Sequence, residues 1–202
     1  MTDLYAVTIS PAAMCDLFEA ENDRTGNLPP NYSAAPGALV PVVLKDETGG
    51  QRTVELMRWG LPASAGEAPV TAIHDISDRR WPDLVKPEHR CLIPANSFSE
   101  GRARNWFARD EIRTPFAFAG VWLGTSRGGH RRFAILSSDV NRLAGADAQP
   151  MPVVLTEDEW DEWLDGDNEE ARAVLKPPAE ELLTVVSTGE ERDPPESRMG
   201  YQ

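Results

Sequence analysis

The apolar residues of this chain fall into short runs, mostly of strand length, separated by polar stretches containing proline and glycine. Residues 38–44 are almost wholly apolar, and a second run covers 53–57 after Asp46-Glu47-Thr48-Gly49-Gly50. Two such runs around a turn-forming cluster predict a hairpin. Pro41, which has no N–H to give, places the first strand at an edge or a bulge. Further strands are predicted at 91–93, 116–122, 133–136, 153–155 and 183–186. Helical spacing is rarer. Ser10-Pro11 offers an N-cap followed by proline at the first helical position, and Met14, Leu17 and Phe18 then share a face. Thr156-Glu157-Asp158-Glu159 reads as a capping box leading into Trp160, Trp163 and Leu164. A charged helix over 168–175 stops before Pro177-Pro178. Residues 22–36 read as a loop, and the chain beyond Arg58-Trp59-Gly60-Leu61-Pro62 is loop-like to about Val70. With no internal repeat, the pattern predicts a single α+β domain of mainly antiparallel strands with flanking helices over 1–188, and a loose polar tail over 189–202.

Composition narrows the function classes. The 202 residues suffice for one domain with a sizeable core. No apolar stretch approaches the roughly 18 to 20 residues of a membrane span, so no membrane role is expected. The opening Met1-Thr2-Asp3-Leu4-Tyr5 carries an acid where a secretory signal has Lys or Arg, which predicts a cytoplasmic protein. The 20 Lys and Arg against 33 Asp and Glu give a net charge of −13. Such a surface repels phosphate backbones unless its cations share one face.

The chain carries no phosphate-loop, dinucleotide or nucleophile-elbow motif, and no Cys/His spacing suited to zinc, so neither cofactor nor metal is expected. Cys15 and Cys91 sit in apolar contexts and read as core residues. The three histidines, His74, His89 and His130, read as surface residues. Six tryptophans are many for this length. Trp122, Trp160 and Trp163 fit a core; Trp59, Trp81 and Trp106, beside Arg or Asn in or near loops, are candidates for stacking on an unpaired base as well as for closing a loop. Glu100, at the end of Asn96-Ser97-Phe98-Ser99-Glu100, is a candidate general acid or base.

Six phrases, in order, resemble the SOS-response-associated peptidase (SRAP) family of abasic-site processing proteins. They are Tyr32-Ser33-Ala34-Ala35-Pro36, Arg58-Trp59-Gly60-Leu61, Arg90-Cys91-Leu92-Ile93-Pro94-Ala95 with Glu100, the segment 115–122, the segment 133–138, and Met151-Pro152-Val153-Val154-Leu155. The resemblance implies a barrel-like antiparallel core with flanking helices. It also implies a peptidase that removes its own Met1 and cross-links to abasic sites in single-stranded DNA. In the family a cysteine after the initiator Met condenses with the ring-opened sugar and closes a thiazolidine; here that residue is Thr2. The family's Asn-Ala-Arg motif corresponds to Thr71-Ala72-Ile73, and the His before Arg-Met-Pro corresponds to Ala148. The family's proton-transferring Glu corresponds to Glu100, the match among the four. Phosphate-binding arginines correspond to Leu4, Ile73 and Pro150, which leaves Arg58, Trp59 and Arg90 as candidate DNA contacts.

Three readings follow. The departures favour a divergent member without the covalent chemistry, acting as a binding or regulatory module with a protein partner. The alternative is a weakened abasic-site sensor that forms a reversible imine through the Thr2 amine, assisted by Glu100. A hydrolase using Glu100 with His74 or Asp75 is the third.

Overall fold

The computed structural model describes residues 2–46, 50–74, 76, 83–124, 129–140 and 150–193. Its strands, in chain order, are β1 (Leu4–Val7), β2 (Ala20–Asp23), β3 (Asn31–Ala34), β4 (Leu39–Lys45), β5 (Arg52–Trp59), β6 (Ala72–Ile73), β7 (Arg90–Ala95), β8 (Ser97–Glu100), β9 (Asn105–Ala108), β10 (Phe116–Leu123), β11 (Arg132–Val140), β12 (Pro150–Pro152), β13 (Val154–Leu155) and β14 (Thr184–Thr188). The α-helices among the described residues are α1 (Pro11–Phe18), α2 (Glu159–Asp165) and α3 (Asn168–Ala173). None of the helices among the described residues is long and apolar enough to cross a membrane.

The predicted hairpin is β4 and β5, antiparallel from Leu39↔Arg58 to Lys45↔Arg52. β7 joins β4 at Val43↔Leu92 and pairs along its length with β10, which pairs in turn with β11. The ring closes because the far edge of β11 takes up β5 in parallel, Arg132↔Arg58 and Phe133↔Trp59. The same edge of β11 then receives β6, whereas β12 pairs with β11 on the β10 side, where the Val153 N–H donates to the Leu136 carbonyl and the Val153 carbonyl accepts from the Ala119 N–H. Five strands therefore form a barrel with no open edge between them. Gly120 shows how tightly it packs: a Cβ there would lie 2.4 Å from Ile93 Cδ1.

A second sheet, in the order β14-β9-β8-β1-β3, lies against this barrel. Aromatic side chains join the two. Phe98 of β8 meets Phe118 of β10 with ring centroids 5.5 Å apart, and Tyr5 of β1 meets Phe118 and Trp59 at 5.8 and 5.2 Å. Such edge-to-face pairs add about 0.5–1.5 kcal/mol each beyond the area they bury.

The α1 start is capped as predicted, whereas α2 begins at Glu159 itself with no side-chain cap, and the Thr156 side chain meets it through the Glu159 carboxylate. The Ser10 Oγ accepts from the Ala13 N–H at 3.2 Å, and Glu159 Oε2 accepts from the Thr156 N–H and hydroxyl at 2.9 and 3.0 Å. Trp160, Trp163 and Leu164 are buried as their spacing requires. Two further expectations are corrected. The stretch 22–36 contains β3 and the end of β2, polar strands held by backbone pairing with β1 and β5. Residues 194–202 lie outside the described residues, and the tail is tied down over 189–193. There the Glu190 carbonyl accepts from Trp106 Nε1 at 3.0 Å, and the Asp193 N–H donates to the Tyr32 carbonyl at 3.0 Å.

Candidate active site

The antiparallel register Leu4↔Ser99, Tyr5↔Phe98, Ala6↔Ser97 between β1 and β8 runs the start of the chain beside the end of β8. Thr2, 5 % exposed, consequently meets Glu100, 3 % exposed, and the Thr2 hydroxyl donates a hydrogen bond to Glu100 Oε1. Gly101, with φ +76°, then turns the chain away, a conformation that glycine adopts without penalty. Burial pushes the Glu100 carboxyl above the ordinary carboxylate range, and the Thr2 hydrogen bond only partly opposes it. A carboxyl that holds its proton to higher pH is equipped to give and retake one at the residue it touches.

The other expected residues are distributed differently. Thr71, half-buried, joins the neighbourhood through the core: its carbonyl accepts from Trp59 Nε1 at 2.9 Å, and the Trp59 ring packs against Tyr5. Ile73 is buried on β6. Ala148 lies outside the described residues, as do Asp75 and Trp81, while His74 is exposed. Arg58 is half-buried and donates to the Gly37 carbonyl at 2.7 Å.

Three of the DNA-contact expectations are corrected by burial. Trp59 is 1 % exposed, stacked in the core with Phe133 at 6.4 Å, so no base can reach its face, and Trp106 is buried as well. Arg90 is also 1 % exposed; its guanidinium donates to the carbonyls of Val85, Trp163 and Gly166 and to Asn168 Oδ1, and lies 5.3 Å from the Trp163 ring. It ties β7 to the end of α2 and has no face for a phosphate. Cys91 is core, as expected, its thiol pushed well up by burial. Among the described residues no group of three or more His, Cys, Asp or Glu is placed to hold a metal ion.

Sequence reasoning missed a buried polar cluster at the other end of β1. Asn96 Oδ1 accepts from the Thr8 N–H at 2.7 Å, and Asn96 Nδ2 donates to the Arg113 carbonyl at 2.9 Å. Arg113 in turn pairs with Asp193 at 3.1 Å. These residues lie 17 and 97 positions apart along the chain from Asn96, and no local pattern links them.

The family model for SOS response associated peptidase (SRAP) matches residues 1–191. The chain belongs to the SRAP family. Among its curated relatives, the abasic site processing protein YoqW of Bacillus subtilis is 27 % identical over 161 residues, covering 71 % of this chain and 70 % of that protein. The abasic site processing protein YoaM of Bacillus subtilis is 26 % identical over 161 residues, covering 71 % and 69 %. A crystal structure of a protein from Bordetella bronchiseptica aligns with a TM-score of 0.71 at 17 % identity, over 90 % of this chain and 97 % of the other. A phage-related protein from the same organism aligns at 0.67 and 20 %, over 90 % and 92 %. At these identities the solved structures speak to the fold, which is the barrel with its second sheet. Within this SRAP chain, Thr2 and Glu100 occupy the positions that the sequence resemblance assigned to the reacting terminus and its proton donor.

Proposed function

We propose that this chain acts at abasic sites in single-stranded DNA, with the α-amine of Thr2, freed by removal of Met1, as the reacting group and Glu100 as its acid and base. The buried Thr2–Glu100 hydrogen bond carries the proposal. Burying a carboxyl costs free energy that a fold without use for it avoids by placing an apolar side chain there. The names of the relatives, abasic site processing proteins, supply the substrate class.

The chemistry balances with these groups alone. An α-amine, with an ordinary pKa of roughly 7.7 to 8.0, adds as its neutral form to the aldehyde carbon of the ring-opened sugar. The amine proton moves to the new alkoxide, giving a carbinolamine. Protonated Glu100 gives its proton to the departing hydroxyl, water leaves, and the resulting carboxylate takes back the iminium N–H proton to leave a neutral imine. The Thr2 hydroxyl oxygen then adds to the imine carbon as the C=N π bond opens, its proton passing by way of the Glu100 carboxyl to the nitrogen, and an oxazolidine closes. An alcohol adds less favourably than a thiol, so the ring reopens and the linkage is reversible.

Incubation with an abasic single-stranded oligonucleotide tests this. Borohydride should trap a protein–DNA adduct, and the adduct should decay when borohydride is omitted. Thr2→Cys should convert it into one that persists without reduction. Absence of any trapped adduct, in protein whose intact mass shows Met1 gone, overturns the proposal, as does intact mass showing that Met1 stays. Either result leaves the second reading, a binding or regulatory module without covalent chemistry. Leu4, Ile73 and Pro150, apolar where the family resemblance places arginines, favour that reading.

A further inference from the structure

We infer that Asp193 is a positioning residue for the Thr2–Glu100 pair, acting as the keystone of a buried latch that fixes β1 between its two neighbouring strands. β1 lies between β8 and β3 in the second sheet, and it is a four-residue strand. The segment after β14 crosses from one of these neighbours to the other. The Asp193 carboxylate accepts from the Ser97 hydroxyl of β8 at 2.8 Å, while its backbone N–H donates to the Tyr32 carbonyl of β3 at 3.0 Å. The same carboxylate receives Arg113 Nε at 3.2 Å and Nη2 at 3.1 Å, a two-pronged pair in which both partners are about 95 % buried. Paired, charge-assisted bonds of this kind hold geometry as well as energy.

Arg113 transmits that hold to β1. Its backbone adopts the left-handed conformation at φ +57°, which costs a non-glycine residue free energy and persists only where its surroundings enforce it. Held there, its carbonyl accepts from Asn96 Nδ2, and Asn96 Oδ1 captures the N–H of Thr8, the residue that follows β1. A four-residue strand pinned at its C-terminal end cannot slide along β8. A one-residue slip would move Thr2 away from Glu100 and turn every β1 side chain to the wrong face. The segment after β14 thus sets the register on which the site depends. The inference concerns the geometry of the pair, and it rests on the proposed function only for its consequence for reactivity.

Its test is accordingly read without DNA. In the full chain carrying Asp193→Ala, amide hydrogen exchange at Tyr5 and Val7 should quicken by roughly tenfold or more while β4 and β5 stay unchanged, reflecting loss of charge-assisted bonds local to β1. The Glu100 carboxyl, followed by carbon NMR, should titrate nearer the ordinary carboxylate range as water reaches it. Asp193→Asn, which keeps hydrogen-bonding oxygen and shape, should recover part of both effects. If Asp193→Ala does not fold, Ser97→Ala removes a single bond of the latch and should show the same two effects in weaker form. Unchanged β1 exchange and Glu100 titration in a folded variant overturn the inference, and so does exchange that quickens equally throughout the barrel. Failure of borohydride trapping with these two readouts as expected counts against the proposed function and leaves the latch standing.

Discussion

Glu100 is a carboxyl held in surroundings unlike those of the free side chain, 3 % exposed at the end of β8. Because burial raises its folded pKa above the unfolded value of roughly 4.3, the folded protein binds a proton more tightly than the unfolded chain does. The stability this contributes is fully present below the unfolded pKa and is lost as pH rises through the folded pKa. Glu100→Gln removes the ionisation while keeping an oxygen to accept from Thr2. Denaturation of both proteins across pH should therefore show similar stability in acid and a growing advantage for the variant towards neutral pH. Under the proposed chemistry the same variant loses adduct formation, since an amide has no proton to give at this pH. A stabilised yet unreactive protein separates the role of the carboxyl from a role in folding. A variant less stable than the parent at neutral pH contradicts the raised pKa.

At the scale of elements, Arg90 binds the barrel to the helices. The last carbonyls of a helix lack intrahelical partners, and the guanidinium answers those of Trp163 and Gly166 at 3.1 and 2.6 Å while its plane lies on the Trp163 indole. Arg90→Ala should cost about 1.5–3 kcal/mol or more in urea denaturation, the range for losing hydrogen bonds to a charged group and leaving buried carbonyls without a donor. Arg90→Lys should recover little of that cost, because an ammonium cannot reproduce the planar fork. Recovery to near parental stability by lysine would show that charge alone suffices there. Arg90 also marks where the sequence is readable and where it is not. The runs that became β4, β5, β7, β10 and β11 are apolar and β-branched enough to read directly, and the capping residue before α1 acts within four positions. In contrast β2, β3 and β8 are polar or mixed and owe their strand character to partners far along the chain. The same holds for side chains. Glu100 was legible because it follows closely on the apolar run 91–95, whereas Arg90, after Glu88-His89, and Trp59, after Arg58, look like surface residues until α2 and the barrel close over them. Asp193 sits in a polar, proline-containing stretch, and its partner Arg113 is 80 residues away.

Across the whole molecule the net charge of −13 is compounded by where the cations point. Arg90 and Arg113 are buried, Arg132 donates to the Gly60 carbonyl at 2.6 Å, and Arg131 lies over Trp122 at 4.4 Å while pairing with Glu55 at 3.3 Å. Arg52 is taken up by the Phe18 carbonyl and Asp161. Most of these arginines thus serve the fold, and the acids that outnumber them are left to set the long-range field. The turn that follows Glu100 departs from this arrangement. Arg102 and Arg104 are exposed there, within four residues of the buried carboxyl, and Arg104 makes a solvent-facing pair with Glu191 at 3.6 Å. A single strand approaching Thr2 would meet these two charges first. Each phosphate neutralised on single-stranded DNA contributes about −0.7 to the slope of log K against log salt. Binding of an abasic oligonucleotide, followed by anisotropy between low and moderate salt, should therefore give a shallow slope near −1.4. Replacing both Arg102 and Arg104 by Gln should bring it close to zero with little effect on thermal stability, since exposed ion pairs contribute little. A slope several times steeper, or one unmoved by the double replacement, would place the phosphate contacts elsewhere on the molecule.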